Sequence, residues 1–244
     1  MQTTVDEIAP DIFRFSTLIP EVAPGGFSFN QFLVRDDDPF LFHTGMHQLF
    51  PLVSDAVARV VPLDRLRWIA FSHVEADECG AMNDFLSAAP AAEVVHSGLA
   101  CMVSLNDLAA RPPRPVDDGE ELDTGRHRLR FLATPHVPHN WESGLWFDVT
   151  TSTLFCGDLF TQMGNAPAIV GDDLVAPALA AEEVFHSTSG GPDLGPTLER
   201  LAALEPSTLA TMHGPSFRGD GAEQLRALAA AYAAAGEETS PAPV

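Results

Sequence analysis

The sequence predicts an α+β fold in which two mixed β-sheets pack face to face and helices cover their outer sides. Short strand-like apolar runs alternate with stretches of helical periodicity along the chain. The second half repeats this order of elements, and no linker divides the two halves. We therefore expect a single domain over residues 1–244, in which residues 237–244, EETSPAPV, form a flexible tail.

The first half opens with three predicted strands, DIFRFST, FSFNQFLVR and PFLFHTG, which are separated by Pro, Gly and the acidic turn DDDP. HQLFPLVSDAVARVV then has helical periodicity, and LRWIAFSH is predicted as the next strand. After it we expect a helix (GAMNDFLSAA), a short strand (AEVVHS), a small helix (CMVSLNDLAA) and a Pro-rich connector (RPPRPVDDGEEL).

The second half is predicted to contain the strands HRLRFLATPH, GLWFDVTT and STLFCGDLF. A variable stretch rich in Ala, Pro and Gly follows them. The chain then continues with a helix (LGPTLERLAAL), a strand (STLATMHG) and an Ala-rich terminal helix.

The composition is that of an acidic globular protein. Acidic residues number 34 against 13 basic ones, no lysine is present, and the net charge is -21. Such a charge argues against nucleic acid or an anionic membrane as a partner, and it suits cation binding.

The sequence also bears on the cellular compartment. The N-terminus lacks the features of an export signal, and no uncharged apolar stretch reaches about 18 residues. Three cysteines at irregular spacing, Cys79, Cys101 and Cys156, favour free thiols over a disulfide framework. We therefore expect a cytoplasmic protein that does not span a membrane.

Histidines and acids stand at the ends of four predicted strands, where loops gather at one rim of a sheet. They occur in FSHVEADECGAMNDF, TPHVPHNWESG, LFCGDLF and TMHGPSF. Metal binding is the one interpretation that explains all four segments together.

The spacing in the first of these segments predicts two neighbouring centres. If residues 73–78 form a turn that leads into a helix, His73 and Glu75 can point to one centre while Asp77 and Glu78 point to the other. Gly80 would then allow a tight passage of the backbone. The excess of carboxylates over imidazoles favours iron or manganese over zinc.

The segments HVEADE, HNWES, GD and HGP resemble the metallo-β-lactamase superfamily, whose usual loop reads HxHxDH. They are most similar to its flavodiiron and oxygen-binding diiron branch, whose loop reads HxExDHxG, because Glu75 stands where the zinc hydrolases have histidine. The opening strands also resemble that branch. The resemblance implies a metallo-β-lactamase-like αββα sandwich and a pair of iron ions.

Carried over position by position, the resemblance implies that one iron is held by His73, Glu75, His139 and Asp158. The other would be held by Asp77, Glu78, Asp158 and His213, so that Asp158 bridges the two. His136 competes with His139 as the ligand, and the HxxxS spacing from His139 to Ser143 favours His139. We expect His136 to lie outside the ligand set, as part of the pocket wall.

Two positions depart from the diiron pattern, which has histidine where this chain has Glu78 and an acid where it has His43. Four carboxylates would supply a charge of -4 against +4 from two divalent ions. We hypothesise that this near-neutral centre stabilises ferric iron more than the usual ligands do.

Other residues near the motifs are expected to have lesser roles. His43 and His47 could line the pocket mouth or could equally serve packing or the surface, and Cys79 and Cys156 are expected to be small buried fillers. Trp141 and Phe160 could form an apolar pocket over the metals. The remaining histidines are expected to face solvent: His96, His127 and His186.

These observations favour a non-haem diiron protein that binds or reduces dioxygen or nitric oxide. Flavodiiron enzymes carry a flavodoxin-like domain after this one, so electrons are expected from a separate partner protein. A hydrolase with zinc or manganese, acting on an ester, lactone or thioester, is the alternative, and an oxygen or redox sensor is a third. The resemblance also implies a homodimer.

Overall fold

The computed structural model describes residues 1–239, with side chains as far as residue 235. Within these residues, two seven-stranded β-sheets face one another and helices pack on their outer sides. The fold predicted from the sequence, two mixed sheets between helical layers, is confirmed.

The strands are β1 Thr3–Ala9, β2 Ile12–Ile19, β3 Phe27–Val34, β4 Phe40–Phe42, β5 Trp68–Ala70, β6 Glu93–Ser97, β7 Arg114–Val116, β8 Glu121–Asp123, β9 Arg128–Ala133, β10 Gly144–Asp148, β11 Thr153–Phe155, β12 Ile169–Val170, β13 Thr208–Ala210 and β14 Ser216–Arg218. The α-helices of the described residues are α1 Phe50–Ala58, α2 Ala76–Cys79, α3 Met82–Ala88, α4 Gly98–Ala100, α5 Asn106–Leu108, α6 Val175–Phe185, α7 Leu194–Ala202 and α8 Gly221–Thr239. A π-helical turn over Cys101–Leu105 joins α4 to α5.

The first sheet is built by the first half of the chain, in the order β1-β2-β3-β4-β5-β6-β7. Strands β1 to β4 pair antiparallel, whereas β4 to β7 pair in parallel. The loop after β5, which carries the HVEADE segment, therefore leaves the sheet at the carboxyl end of its parallel part.

The second sheet has the order β12-β14-β13-β11-β10-β9-β8. Strand β10 is antiparallel to both β9 and β11, and β11 is parallel to β13. Strands β9, β11 and β13 thus run in one direction, so the loops that follow them meet at one edge of the sheet.

Apolar side chains hold the layers together in three clusters, one between the sheets and one on the outer face of each. Between the sheets, Phe40 of β4 meets Trp146 of β10 with ring centroids 5.2 Å apart. Both rings are fully buried, and burial of this apolar surface is the main force that joins the sheets. The two sheets are thereby held in a fixed relation at the edge where the four loops meet.

The Pro-rich connector contains two short strands that the sequence analysis did not predict, β7 and β8. Each is the last strand of its sheet, and Pro115 lies in β7. An edge strand tolerates proline because one side of it needs no ladder hydrogen bonds.

The Ala- and Pro-rich stretch likewise contains a helix that was not predicted, α6. Pro177 lies in the first turn of this helix, where a missing backbone N–H breaks no helical hydrogen bond. The helix ends at His186, which adopts a left-handed conformation.

At the C-terminus, α8 extends to Thr239, so the first residues of the predicted tail over 237–244 are helical. The rest of that tail, residues 240–244, lies outside the described residues. Among the described helices, none combines the length and the apolar character needed to cross a bilayer. The prediction of a single domain over residues 1–244 stays a prediction.

Candidate metal centre

The seven residues predicted as metal ligands lie in four loops that follow β5, β9, β11 and β13. The structure brings all seven together at one edge of the sandwich, where their ligand atoms form three overlapping groups. These groups are His73, Glu75 and His139; His73, Glu78 and Asp158; and Asp77, Glu78 and His213.

The loop after β5 supplies four of the seven, and its turn into α2 separates them. Glu75 has extended backbone dihedrals and precedes the helix, while Asp77 and Glu78 lie in its first turn. A Cβ atom at Gly80 would lie 2.3 Å from the carbonyl oxygen of Ala76, so this position excludes side chains. The tight passage predicted at Gly80 is confirmed.

The first group brings together two imidazoles from loops of different sheets, with their ring planes 77° apart. The Nε2 atoms of His73 and His139 lie 2.9 Å apart. Oε1 of Glu75 lies 3.3 Å from Nε2 of His139 and 3.8 Å from Nε2 of His73. Three potential ligand atoms thus converge on one point, as a metal site with mixed nitrogen and oxygen ligands requires.

The third group, with Asp77, Glu78 and His213, lies on the other side of Asp158. Nε2 of His213 lies 3.4 Å from Oδ2 of Asp77, and Glu78 completes the group. The ring of His213 stacks on Phe27 with centroids 4.3 Å apart, and Phe29 meets it edge-on. These aromatic contacts fix the plane of the imidazole and cover one of its faces.

Asp158 contacts the imidazoles of the first group and of the third group, each through a different oxygen. Its Oδ2 lies 3.6 Å from Nε2 of His73 and 3.5 Å from Nε2 of His139, whereas its Oδ1 lies 3.4 Å from Nε2 of His213. This is the arrangement by which one carboxylate can bridge two cations.

Glu78 tests whether the site fits cations. Its side chain is fully buried, and neither carboxylate oxygen has a hydrogen-bond partner among the described residues. A buried carboxylate without partners is costly unless a positive charge lies beside it. Cations held by the four carboxylates and three imidazoles would supply that positive charge, so these residues fit two metal ions.

The carboxylates perturb one another strongly. Burial, followed by the charges of Asp158 and Asp77, raises the pKa of Glu78 well above its ordinary value. Burial acts in the same direction on Asp158, but its hydrogen bond with His213 and the neighbouring imidazoles hold its pKa well below the usual range. Opposed shifts of this kind are typical of functional sites.

The carboxylates and imidazoles also shift each other's pKa values. Burial by itself lowers the pKa of His213, but its contacts with Asp158 and Asp77 outweigh burial and raise the pKa to about 9. Hydrogen bonds with His139 and then His73 lower the pKa of Glu75. The cluster therefore holds its carboxylates ionised around the imidazoles, with Glu78 as the exception.

The outer nitrogens of two imidazoles have partners of their own. Nδ1 of His213 donates to the carbonyl oxygen of Ser28 at 2.8 Å, which leaves Nε2 to face Asp77 and Asp158. Nδ1 of His73 lies 3.0 Å from Oγ of Ser72. The sequence analysis missed Ser28 and Ser72, since serines in strands or beside histidines carry no distinctive signal.

Two further contacts of the first group were not anticipated either. Nδ2 of Asn140 donates to Oε1 of Glu75 at 3.2 Å. The buried Glu142 accepts from the backbone N–H of Val74 at 3.1 Å and so ties the two ligand loops together. Their neighbour Trp141 is half-exposed, and Phe160 is buried in the outer core of the second sheet.

His136 and His139 differ in their position relative to the cluster of ligand atoms. His139 lies in the cluster, as the HxxxS spacing predicted, while the side chain of His136 is exposed and belongs to none of the three groups. The backbone of His136 pairs with Asn140 and Ser189 and so shapes the loop.

Two histidines contradict the sequence analysis, which expected them to face solvent. His96 is fully buried on β6 between the rings of Phe71 and Phe131. His127 is also buried, and its Nδ1 pairs with Oδ2 of Asp148 at 2.8 Å. The prediction was wrong because local sequence does not show which face of a strand the other sheet covers, nor which distant carboxylate a loop histidine meets.

The structure also places the other histidines and the cysteines that the sequence analysis considered. His186 is exposed as predicted, His47 is exposed and pairs with Asp84, and His43 is fully buried. All three cysteines are free thiols; Cys156 is fully buried, and burial followed by Asp77 raises the pKa of Cys79 to about 12. A thiol with that pKa stays protonated at neutral pH.

This arrangement of two sheets and one metal edge has the fold of flavodiiron cores. The metal-soaked flavodiiron core of Flv1 from Synechocystis sp. superposes on 96% of this chain and 61% of its own with a TM-score of 0.82, at 22% identity. The metallo-β-lactamase-like class implied by the sequence is thereby confirmed.

The chain belongs to the family described as ODP family beta lactamase, whose sequence profile matches residues 27–214. Diflavin flavoprotein A 1 of Synechocystis sp. is 26% identical over 82% of this chain and 36% of its own length. Rubredoxin-oxygen oxidoreductase of Megalodesulfovibrio gigas is 25% identical over 81% of this chain and 51% of its own length.

Anaerobic nitric oxide reductase flavorubredoxin of Aeromonas hydrophila is 24% identical over 56% of this chain and 28% of its own length. The chain spans about a third of the length of the diflavin flavoproteins that it matches. The resemblance to the flavodiiron branch is confirmed by these similarities.

Proposed function

We propose that this protein is a non-haem diiron oxidoreductase that binds or reduces dioxygen or nitric oxide with electrons from a separate redox protein. The observation that carries the proposal is the position of Asp158, whose two oxygens face imidazoles of two neighbouring groups. The names of two similar proteins, an oxygen oxidoreductase and a nitric oxide reductase, support the same conclusion.

In this proposal one iron is held by His73, Glu75, His139 and Asp158. The other iron is held by Asp77, Glu78, Asp158 and His213. Four carboxylates against three imidazoles favour a hard cation, which supports iron and leaves manganese or zinc as alternatives. When bound, the two irons would supply one electron each to a diatomic ligand.

The residues of the chain prepare the site for such a ligand. Ser28 orients His213 through its carbonyl oxygen, and Phe27 covers the ring of His213. Glu142 and Asn140 hold the loop that carries His139 against the loop that carries Glu75. Fixed side chains and apolar cover limit the access of water to reactive species.

Anaerobic reconstitution with ferrous iron tests the proposal. We expect two irons per chain by elemental analysis, and consumption of dioxygen or nitric oxide when a chemical reductant is supplied. A preference for zinc together with hydrolysis of esters, lactones or thioesters would contradict it and favour the hydrolase. Size-exclusion chromatography of the same sample tests the homodimer that the resemblance implies.

A further inference from the structure

A buried chain of polar contacts runs from His43 through Ser72 to His73. Nε2 of His43 lies 3.2 Å from Oγ of Ser72, and this oxygen lies 3.0 Å from Nδ1 of His73. All three side chains are fully buried. His43 thus reaches the proposed metal centre only through the hydroxyl group of Ser72.

Both residues behind His73 are firmly held. The backbone N–H of His43 donates to the carbonyl oxygen of Ala70, and its ring stacks on Phe42 with centroids 4.0 Å apart. Ser72 packs against Gly157, where a Cβ atom would lie 2.7 Å from the Cβ of Ser72. Neither His43 nor Ser72 can turn away without disturbing the strands around it.

His43 also has a backbone φ of 64°, in the left-handed region that non-glycine residues rarely adopt. Asparagine, aspartate and histidine tolerate this region better than most residues, but it still carries strain. In this conformation the ring of His43 meets the hydroxyl group of Ser72.

The contact of Ser72 with His73 differs in kind from that of Ser28 with His213. The carbonyl oxygen of Ser28 can only accept, so it requires a proton on Nδ1 of His213. The hydroxyl of Ser72 can either donate or accept, so by itself it leaves the tautomer of His73 undetermined. Another group must therefore determine whether Ser72 donates to His73 or accepts from it.

The direction of this hydrogen bond follows from the proposed role of His73 as a metal ligand. Its Nε2 faces Nε2 of His139 at 2.9 Å and a carboxylate oxygen of Asp158 at 3.6 Å, so as a ligand it must be unprotonated. The proton then lies on Nδ1 and is donated to Oγ of Ser72. The single hydroxyl proton of Ser72 remains for Nε2 of His43.

His43 can accept that proton because it is neutral. Its ring is fully buried, and no carboxylate of the described residues is hydrogen-bonded to it. A buried imidazole without an anionic partner stays uncharged at neutral pH. A neutral imidazole has one acceptor nitrogen, and in this proposal it is Nε2, which faces Ser72, while Nδ1 carries the proton.

We propose that His43 is a positioning residue that accepts the hydroxyl proton of Ser72 and so holds His73 in the tautomer that can bind metal. The inference rests on the proposed metal centre. It concerns the site of His73, Glu75 and His139, whereas the site of Asp77 and His213 has its own fixed acceptor in Ser28.

Cobalt(II) binding to the full-length chain tests this, with visible absorption as the signal and a chelator as competitor. The variants are Ser72→Ala, His43→Leu, His43→Gln and the double variant with Ser72→Ala and His43→Leu. Gln and Leu meet the same backbone strain at position 43, but only Gln keeps an acceptor. Denaturant unfolding of the metal-free variants shows which of them are folded.

We expect Ser72→Ala and His43→Leu each to lower the affinity of one of the two cobalt sites by about 10- to 100-fold. This is the range found when partners of metal-ligating histidines are removed. His43→Gln should stay close to wild type. The double variant should be no weaker than Ser72→Ala alone, since both changes break one chain of contacts.

Two outcomes have separate meanings. If the wild-type chain binds no cobalt, the proposed metal centre fails and this inference fails with it. If the wild type binds two cobalt ions and Ser72→Ala binds them equally well, or the two single effects multiply in the double variant, the role assigned to His43 is overturned alone. Ser72→Ala keeps its buried Cβ, so undiminished cobalt binding by this variant still overturns the role of His43 if His43→Leu does not fold.

Discussion

The Nε2 atoms of His73 and His139 face each other at 2.9 Å, although the two residues come from different sheets. Two neutral imidazoles cannot both present a lone pair at this distance unless a proton or a cation lies between or beside them. Oxygens of Glu75 and Asp158 lie within 3.8 Å of both nitrogens, and in the proposed centre the cation lies among these four atoms.

The first prediction separates the two histidines of the β9 to β10 loop. His139→Asn should lower the iron content from about two to about one per chain, because Asn is too short to replace the imidazole nitrogen. His136→Asn should leave the content unchanged, since His136 is exposed and Asn tolerates its positive φ. Elemental analysis of both purified variants is the measurement, and an equal loss in both would contradict the assignment.

The second prediction concerns the bridge. Asp158→Ala should abolish both metal sites, because its two oxygens face different groups. Asp77→Ala should remove only the site of His213, because Asp77 belongs only to the group with Glu78 and His213. Stepwise titration with a metal gives the stoichiometry, and a residual site of normal affinity in Asp158→Ala would rule out bridging.

The third prediction concerns the redox potential. Glu78→His replaces a buried carboxylate, which a bound iron would keep ionised, with a neutral ligand. It should therefore destabilise ferric iron and raise the midpoint potential, by about 60 mV for each tenfold change in preference. Spectroscopic redox titration of the reconstituted protein measures this. Asp84→Asn, which removes an acidic charge paired with His47 away from the cluster, should leave the potential nearly unchanged.

The fourth prediction uses the buried pair of His127 and Asp148. The hydrogen bond with Asp148 raises the pKa of His127 above 6.5, so its contribution to stability is complete below that pH and is lost as pH rises through the raised value. Although burial opposes it, the hydrogen bond with His127 helps to lower the pKa of Asp148 below 3.8. The contribution of Asp148 is therefore present above pH 3.8 and is lost as pH falls through the lowered value.

His127→Gln should consequently lower the free energy of unfolding by about 1.5–3 kcal/mol between these limits, and by less at higher pH. Denaturant unfolding at a series of pH values is the measurement. His47→Gln, which breaks an exposed pair with Asp84, should cost less than about 1 kcal/mol at every pH. A deficit for His127→Gln that does not vary with pH would contradict the assigned charge.

Much of the architecture was predictable from local patterns, because alternation and helical periodicity are properties of short segments. The strands around Phe40 and Trp146 and the helix α7 were predicted in this way. The short edge strands β7 and β8 and the helix α6 were missed, because pairing at a sheet edge and packing on a sheet outweigh local preference there.

The sequence by itself determined which chemical groups stand at the strand ends, since histidine and acid spacing in the segments around His73, His139, Asp158 and His213 is a local property. Only the tertiary structure decided that Ser28, Ser72 and His43 stand behind those imidazoles and that His127 faces Asp148. It also decided that Glu78 is buried with no hydrogen-bond partner among the described residues. The contacts of Ser28 with His213, of His43 with Ser72 and of His127 with Asp148 join residues at least 21 positions apart. Such contacts depend on the apolar burial that folds the chain into two packed sheets.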